Sequence, residues 1–262
     1  MLKKILLSLS VIALASGCTS KKNENALRVA ATPVPQAEML EYIKPDLEAK
    51  GIHLEIIVTD DFNMPNRALA NHEIEANFFQ HKPFLDEQIK EFHYPLVSIA
   101  KIEIEPMGVY SNKVKQLTEL RDSAVIAIPN DPTNEGRALL LLQANGIIEL
   151  DDPNLLQATV LNISNNPKHL KFIEADAAML PRTLKDVDAA VINTNYALQA
   201  GLNPTKDAIA IESKDSPYAN ILVIREDEEG SMQIAELKKA MTSDKMRDFI
   251  LQKYKGAVLP AF

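Results

Sequence analysis

The 262-residue sequence contains a single cysteine, no tryptophan and only eight glycines. With one cysteine the chain cannot form an intrachain disulfide, so its stability must come from a packed core. The two closest glycines, Gly136 and Gly146, are ten residues apart. The dinucleotide-binding GxGxxG motif and the phosphate-binding P-loop both need more closely spaced glycines. The usual nucleotide-binding motifs are therefore excluded.

The common catalytic and metal-binding motifs are also missing. The nearest approach to the zinc-protease HExxH motif is His72-Glu73, which has Ala76 where the second histidine should stand. No GxSxG turn offers a serine nucleophile. We therefore predict a protein that binds no metal ion, needs no cofactor and is not an enzyme. A serine or a pair of acids brought together only by the fold stays open as an alternative.

Acidic side chains outnumber basic ones by 36 to 28, which leaves a net charge of −8. A negative surface repels phosphate backbones and anionic lipid headgroups, so nucleic acid is not an expected partner. Hydrophobic residues make up 46% of the chain, which is enough for a substantial core.

The first 26 residues have the layout of an export signal followed by a spacer. Basic MLKK precedes the apolar run ILLSLSVIALAS, and Ala15-Ser16-Gly17 supplies small residues before Cys18. As a helix the apolar run reaches about 18 Å, against a hydrocarbon core of about 30 Å, so it is too short to span a bilayer. We predict that residues 1–17 are a signal peptide and that Cys18 carries a lipid anchor such as palmitate. Residues 18–26 would be a flexible tether that holds the protein at the cell envelope, on the periplasmic or extracytoplasmic face.

Strand and helix patterns alternate along the rest of the chain in two series, which indicates an α/β fold. The first series predicts strands at 27–33, 52–58 and 74–79 and helices at 36–50, 64–71 and 83–92. The second predicts strands at 124–129, 170–175, 188–193, 209–213 and 220–227 and helices at 132–145, 195–200, 231–242 and 243–254.

The segment 129–137 joins a predicted buried strand to a buried helix. Asp131 can cap that helix and Pro132 suits its first turn, which by itself explains the segment. The exposed amides of the turn and the guanidinium of Arg137 could equally bind a carboxylate. Both interpretations stay open on this segment alone.

Two further stretches place aromatic and amide side chains at strand ends. Residues 76–85 contain three phenylalanines and His81, which suit either a core or a flat slot for a sulfur or aliphatic group. Residues 192–196 and 216–220 contain asparagines, which are turn formers or neutral groups that orient an ammonium and a carboxylate.

Taken together, these stretches resemble the methionine-binding lipoproteins of the MetQ/NlpA family, from about Leu27 to the C-terminus. The motifs that carry the resemblance are PNRAL (65–69), ANFFQHKPFLDEQ (76–88), PNDPTNEGRALLLLQ (129–143), LPRTL (180–184), AVINTNYA (190–197) and SPYANILV (216–223). The resemblance implies a type II periplasmic-binding-protein fold, with two α/β lobes joined by hinge strands. Lobe 1 would comprise residues 27–105 and 216–262, and lobe 2 residues 106–215. The lobes would close on L-methionine or a close derivative and deliver it to an ABC permease with its ATPase, and we expect the binding protein to be a monomer.

The resemblance also implies a set of ligand-binding residues, two positions of which differ from the family pattern. The implied set is Arg137 and Asn134 for the carboxylate, Asn193 and Asn220 for the polar end including the ammonium, and Phe62, Phe79, His81 and Phe84 around the thioether. Phe62 and Phe84 stand where tyrosine is common, which could shift the preference among methionine, its D-isomer, its sulfoxide and methionyl peptides. Asn195 is so near Asn193 that either could face the ligand. The alternative functions are an exported α/β enzyme acting on a small amino-acid-like substrate and a structural or adhesive envelope lipoprotein.

Overall fold

The computed structural model describes residues 26–214 and 216–262. The predicted signal peptide, Cys18, the tether up to residue 25 and Asp215, at the end of predicted lobe 2, lie outside the described residues.

Helices and strands alternate along the described chain. The strands are β1 (Leu27–Ala31), β2 (Leu54–Val58), β3 (Ala76–His81), β4 (Leu96–Ile104), β5 (Gly108–Tyr110), β6 (Val125–Pro129), β7 (Glu149–Leu150), β8 (Ile163–Asn165), β9 (Lys171–Ala175), β10 (Ala189–Ile192), β11 (Ala210–Ile211), β12 (Ala219–Arg225) and β13 (Leu259–Pro260). The helices are α1 (Glu38–Glu48), α2 (Met64–Ala70), α3 (Lys82–Phe92), α4 (Pro132–Ala144), α5 (Leu180–Thr183), α6 (Thr194–Gln199), α7 (Pro204–Asp207), α8 (Met232–Met241) and α9 (Asp244–Tyr254). The predicted alternation is confirmed, but β4 was not among the predicted strands.

The first sheet has six strands in the order β13-β4-β12-β3-β1-β2. Strands β2, β1 and β3 run parallel, whereas β12 is antiparallel to both β3 and β4. Helix α1 covers this sheet because its apolar residues recur at helical spacing and form one face. The buried residues of that face are Met39, Leu40, Ile43 and Leu47, and they pack in one core with residues of α8 and α9.

The second sheet has five strands in the order β11-β5-β10-β6-β9. Strands β10, β6 and β9 are parallel, and β5 is antiparallel to β10 and β11. Its core is separate from that of the first sheet and includes the apolar side of α4. The molecule therefore consists of two α/β units, each with its own sheet.

The chain crosses between the two sheets twice. It leaves the first sheet after Ile104 and enters the second at Gly108, then returns between Ile211 and Ala219. The two crossings are bonded to each other, since the Glu212 N–H donates to the Met107 carbonyl at 2.9 Å. Strands of the first sheet come from 27–104 and 219–260, and those of the second from 108–211. The exact bounds of the two lobes stay a prediction.

Within the described residues, no helix has the length and apolar character needed to cross a membrane.

Helix α4 starts at a capped end and is buried along its first two turns. The Asp131 carboxylate accepts the Asn134 N–H at 3.0 Å, as the sequence predicted for a capping residue. At Gly136 the segment 156–158 crosses directly over the helix. A Cβ at this position would lie 2.8 Å from the carbonyl carbon of Leu156 and 2.9 Å from the nitrogen of Ala158. Only glycine permits this approach, which positions the start of α4.

We expect Gly136→Ala to lower the free energy of unfolding by about 1–3 kcal/mol, because an added methyl group must displace backbone atoms. Urea denaturation would measure the loss. Gly230→Ala is the matched control, since a Cβ there meets no atom within 4 Å, and it should stay within about 0.5 kcal/mol of the wild type. Equal losses in the two variants would contradict this account of α4.

Candidate functional site

A cavity lies between the two α/β units, the kind of place where small-molecule sites commonly form. All eight residues predicted from the sequence line it: Phe62, Phe79, His81, Phe84, Asn134, Arg137, Asn193 and Asn220. Four other residues complete the wall: Gln80, Glu105, Thr194 and Asn195. The structure thus brings the predicted set together, while the role of each residue in binding stays a prediction.

Three phenylalanine rings form the apolar end of the cavity. The Phe62 and Phe79 ring centroids are 5.9 Å apart, and the Phe84 ring stands edge-on to Phe79 at 5.9 Å. Phe62 also contacts Tyr196 with 5.1 Å between centroids. Such tilted and edge-on arrangements are favourable and leave ring faces for a sulfur or aliphatic group.

His81 is a neutral, fixed side chain at the N-terminus of α3. Its Nδ1 accepts the Phe84 N–H at 3.2 Å, so the ring proton is on Nε2, which donates to Asn134 Oδ1 at 3.2 Å. Burial, with the charge of Arg137 adding to it, lowers the pKa of His81 to about 3. The ring therefore serves as a neutral hydrogen-bonding group at neutral pH.

Asn134 links residues of both units. In addition to His81, its Oδ1 accepts the Asn193 side-chain N–H at 2.8 Å. Its Nδ2 lies 3.0 and 2.9 Å from the two carboxylate oxygens of Asp131. At most one N–H of Asn134 is left for a ligand, so this residue chiefly positions its neighbours.

Two asparagine groups next to the cavity lack partners. Oδ1 of Asn193 and Nδ2 of Asn195 are buried and make no hydrogen bond within residues 26–214 and 216–262. An unpaired buried polar group costs about 1–3 kcal/mol, so such groups usually mark a binding site or a bound water. Oδ1 of Asn193 is an acceptor that suits an ammonium, and Nδ2 of Asn195 is a donor that suits a carboxylate. Both Asn193 and Asn195 can therefore face a ligand.

Arg137 is buried and bonded to both crossing segments. Its Nε lies 3.1 Å from Oε1 of Glu212, and its Nη2 donates to the Glu105 carbonyl at 2.8 Å. The Tyr218 ring centroid is 4.5 Å from the guanidinium carbon. The sequence did not single out Glu212 or Glu105. Tyr218 was not singled out either, but it lies near Asn220 in the SPYANILV motif, and that position was the one sequence signal that Tyr218 belongs to the site.

No three histidine, cysteine, aspartate or glutamate side chains of the described part of the chain are grouped so that they could hold a metal ion.

We expect His81→Asn to weaken the acid dependence of stability. An unfolded histidine titrates near pH 6.5, but folded His81 only near pH 3. As the pH falls between these values, the unfolded state takes up a proton that the folded state refuses, so stability is lost. Asparagine can still cap α3 without titrating there. The free energy of unfolding from urea titrations should therefore fall less steeply in the variant, by up to about 1.4 kcal/mol per pH unit. If the free energy of unfolding fell equally steeply with pH in the wild type and the variant, that result would contradict the burial of a neutral imidazole.

Comparisons with known proteins agree with this geometry. Residues 27–262 match the family model described as NlpA lipoprotein. A D-methionine-binding lipoprotein MetQ of Salmonella typhi is 42% identical over 95% of this chain and 93% of its own length. A methionine-binding lipoprotein MetQ of Bacillus subtilis is 43% identical over 94% of this chain and 90% of its own. A nutrient binding protein of Burkholderia cenocepacia, solved bound to methionine, has a TM-score of 0.87 and 46% identity, covering 90% of this chain and 100% of that one.

These matches confirm both the predicted fold class and the family resemblance. They extend over nearly all of the described chain at well above 30% identity. The chain belongs to the NlpA lipoprotein family.

Proposed function

We propose that this protein is the substrate-binding lipoprotein of an ABC importer, which binds L-methionine or a close derivative between its two α/β units. The observation that carries the proposal is the division of one cavity into an apolar end of three phenylalanines and a polar end with Arg137 and asparagine side chains. A free amino acid with an unbranched thioether side chain has the same division. The methionine-binding and D-methionine-binding lipoproteins among the relatives support this choice.

The polar end can hold a zwitterion. The Arg137 guanidinium and the unpaired Nδ2 of Asn195 supply donors for a carboxylate. Asn193 Oδ1 supplies an acceptor for the ammonium, with Asn220 on the same cavity wall. The thioether would lie among Phe62, Phe79, Phe84 and His81. D-methionine, methionine sulfoxide and methionyl dipeptides remain alternative ligands for the same cavity.

Closure of the two units around the ligand explains transport without catalysis. Side chains already bridge the units: the Tyr196 hydroxyl donates to the Asp60 carbonyl at 2.7 Å, and Gln157 donates to Glu87. Ligand contacts from both sides favour the closed arrangement. A complete reversal from an open to a closed population needs about 5.5 kcal/mol of differential binding. A buried zwitterion held by a guanidinium and amides can supply such a difference.

The anchor and the partners follow from the same proposal. Cys18 would carry the lipid that keeps the protein at the membrane, where an ABC permease and its ATPase receive the ligand. A monomer suffices, since both halves of the cavity come from one chain.

The exported enzyme remains the second candidate, and the structural or adhesive lipoprotein the third. A panel of amino acids in a thermal-shift assay separates the structural lipoprotein from the other two, because only a protein with a ligand site is stabilised. Recovery of unchanged methionine after incubation then separates the binding protein from the enzyme.

We expect L-methionine to raise the melting temperature and Arg137→Ala to abolish the rise. A ligand at about 100 times its Kd adds roughly 2.7 kcal/mol, and about 2–4 °C accompany each kcal/mol in a protein of this size. The rise in the wild type should therefore be about 5–11 °C in differential scanning fluorimetry.

Arg121→Ala is the control for that experiment. Arg121 also pairs with a carboxylate, Asp188, but its side chain is 65% exposed and lies outside the cavity. This variant should keep the full methionine-dependent rise. A wild type that responds to none of methionine, its D-isomer and its sulfoxide would overturn the ligand assignment and leave the fold untouched.

We expect Phe62→Tyr with Phe84→Tyr to shift selectivity toward methionine sulfoxide. Each added hydroxyl can donate to the sulfoxide oxygen, and one such bond is worth about 0.5–1.5 kcal/mol, or roughly two- to tenfold in affinity. Calorimetric titrations would give the ratio of the two affinities. Phe249→Tyr is the control, since Phe249 stacks on Tyr42 far from the cavity. An unchanged ratio in the double variant would mean that the two substitutions are neutral.

A further inference from the structure

Two glutamates at the end of β4 lie side by side beneath the cavity. Glu103 is in β4 and Glu105 follows its last residue, so the period of two places both side chains on one face. They are 0% and 5% exposed. Glu105 lines the cavity, whereas Glu103 lies behind it.

Within the described residues, neutral amide groups hydrogen-bond to these two carboxyl groups, which also hydrogen-bond to each other. The Asn220 side-chain amide donates to Oε1 of Glu103 at 2.8 Å and to Oε1 of Glu105 at 2.7 Å. The Gln36 amide donates to the same two oxygens. The second oxygen of Glu103 is buried and has no partner among the described residues.

The charged groups around the pair do not neutralise it. From α4, Arg137 donates to the main-chain carbonyl of Glu105 and forms its ion pair with Glu212, so its charge only partly offsets that of the Glu105 carboxyl group. From β3, His81 is neutral. On the far side, α9 presents the Tyr254 hydroxyl, which donates to Glu38 of α1, itself paired with Lys253.

Two buried carboxyl groups without a cation cannot both be ionised, so they titrate as a coupled pair. Burial, followed by the charge of Glu105, raises the pKa of Glu103 well above its ordinary range. Burial also raises the pKa of Glu105, but hydrogen bonds and the charge of Arg137 oppose the shift. The pair therefore tends to hold one proton between its two carboxyl groups. Glu105 is the member that lines the cavity, so the negative charge of the pair can act on a ligand there.

We propose that the ionised carboxylate of Glu105 is the counter-ion that binds the ammonium group of the ligand. The inference rests on the proposed function and adds to it the residue that selects an amino acid over a plain carboxylic acid. The negative charge of Glu105 attracts the positive charge of an ammonium strongly at this buried place, because little water screens the pair. The unpaired acceptor of Asn193 in the same wall completes the ammonium site.

This assignment makes binding depend on pH in one direction. Glu105 attracts an ammonium only when it is ionised, so affinity should fall as acid protonates the pair. Binding under acidic conditions then displaces a proton from Glu105 to the buffer. Ligands without an ammonium should not show this loss.

The test compares L-methionine with 4-(methylthio)butanoic acid, which is methionine without its amino group. Calorimetric titration or competition gives the preference for methionine, that is, the ratio of the two affinities. Glu105→Gln should reduce this preference at least tenfold. Glu135→Gln is the matched control, because Glu135 is also a buried glutamate but lies outside the cavity and accepts the Val160 N–H. It should keep the wild-type preference.

A wild-type measurement makes the test independent of how the variant folds. Between about pH 8 and pH 5.5 both ligands keep their ionised carboxylates, so a preference that falls with pH reports the protein's own carboxyl pair. A preference that survives in folded Glu105→Gln, or that rises in the wild type as the pH is lowered over this range, would falsify the inference. A wild type that binds neither compound would instead overturn the proposed function, so the two failures can be told apart.

Discussion

The buried guanidinium of Arg137 is the interaction on which the rest of the site depends. It projects from the first turns of α4 and bonds to Glu212 in one crossing segment and to the main chain of Glu105 in the other. One side chain therefore ties the helix that carries it to both connections between the units. Since breaking a buried ion pair leaves an unpaired charge, this network is costly to disturb. Any ligand carboxylate that binds Arg137 acts on the same segments that must move when the units separate.

One hydrogen bond that crosses between the units, from His81 to Asn134, helps to hold the polar end of the cavity in place. His81, from the first unit, and Asn193, from the second, both bond to Asn134. The aromatic end needs no such bonds, because the rings of Phe62, Phe79 and Phe84 position one another. A site with one end fixed by hydrogen bonds and the other by packing is suited to a ligand with one polar and one apolar end.

Prediction from the sequence succeeded wherever a short stretch carries its own signal. The cap at Asp131, the spacing of apolar residues in α1 and the fully buried strand β3 are local patterns, and the structure has all three. Strand β4 was missed because Ser98, Lys101 and Glu103 interrupt its apolar residues, and most of its residues are only partly buried. Missing β4 also meant missing Glu105, since a glutamate at a strand end ordinarily indicates a solvent-exposed position.

The sequence by itself determined the α/β alternation, the two series of elements and, through family motifs, eight residues that now line one cavity. Only the tertiary structure decided which groups are paired and which are left for a ligand. Arg137 meets Glu212 across 75 residues and Asn220 meets Glu103 across 117. Local propensity carries no information about such distant contacts, because they depend on how the two sheets pack and where the chain crosses between them. The burial of Glu105 next to Glu103 in the cavity wall also depends on that packing.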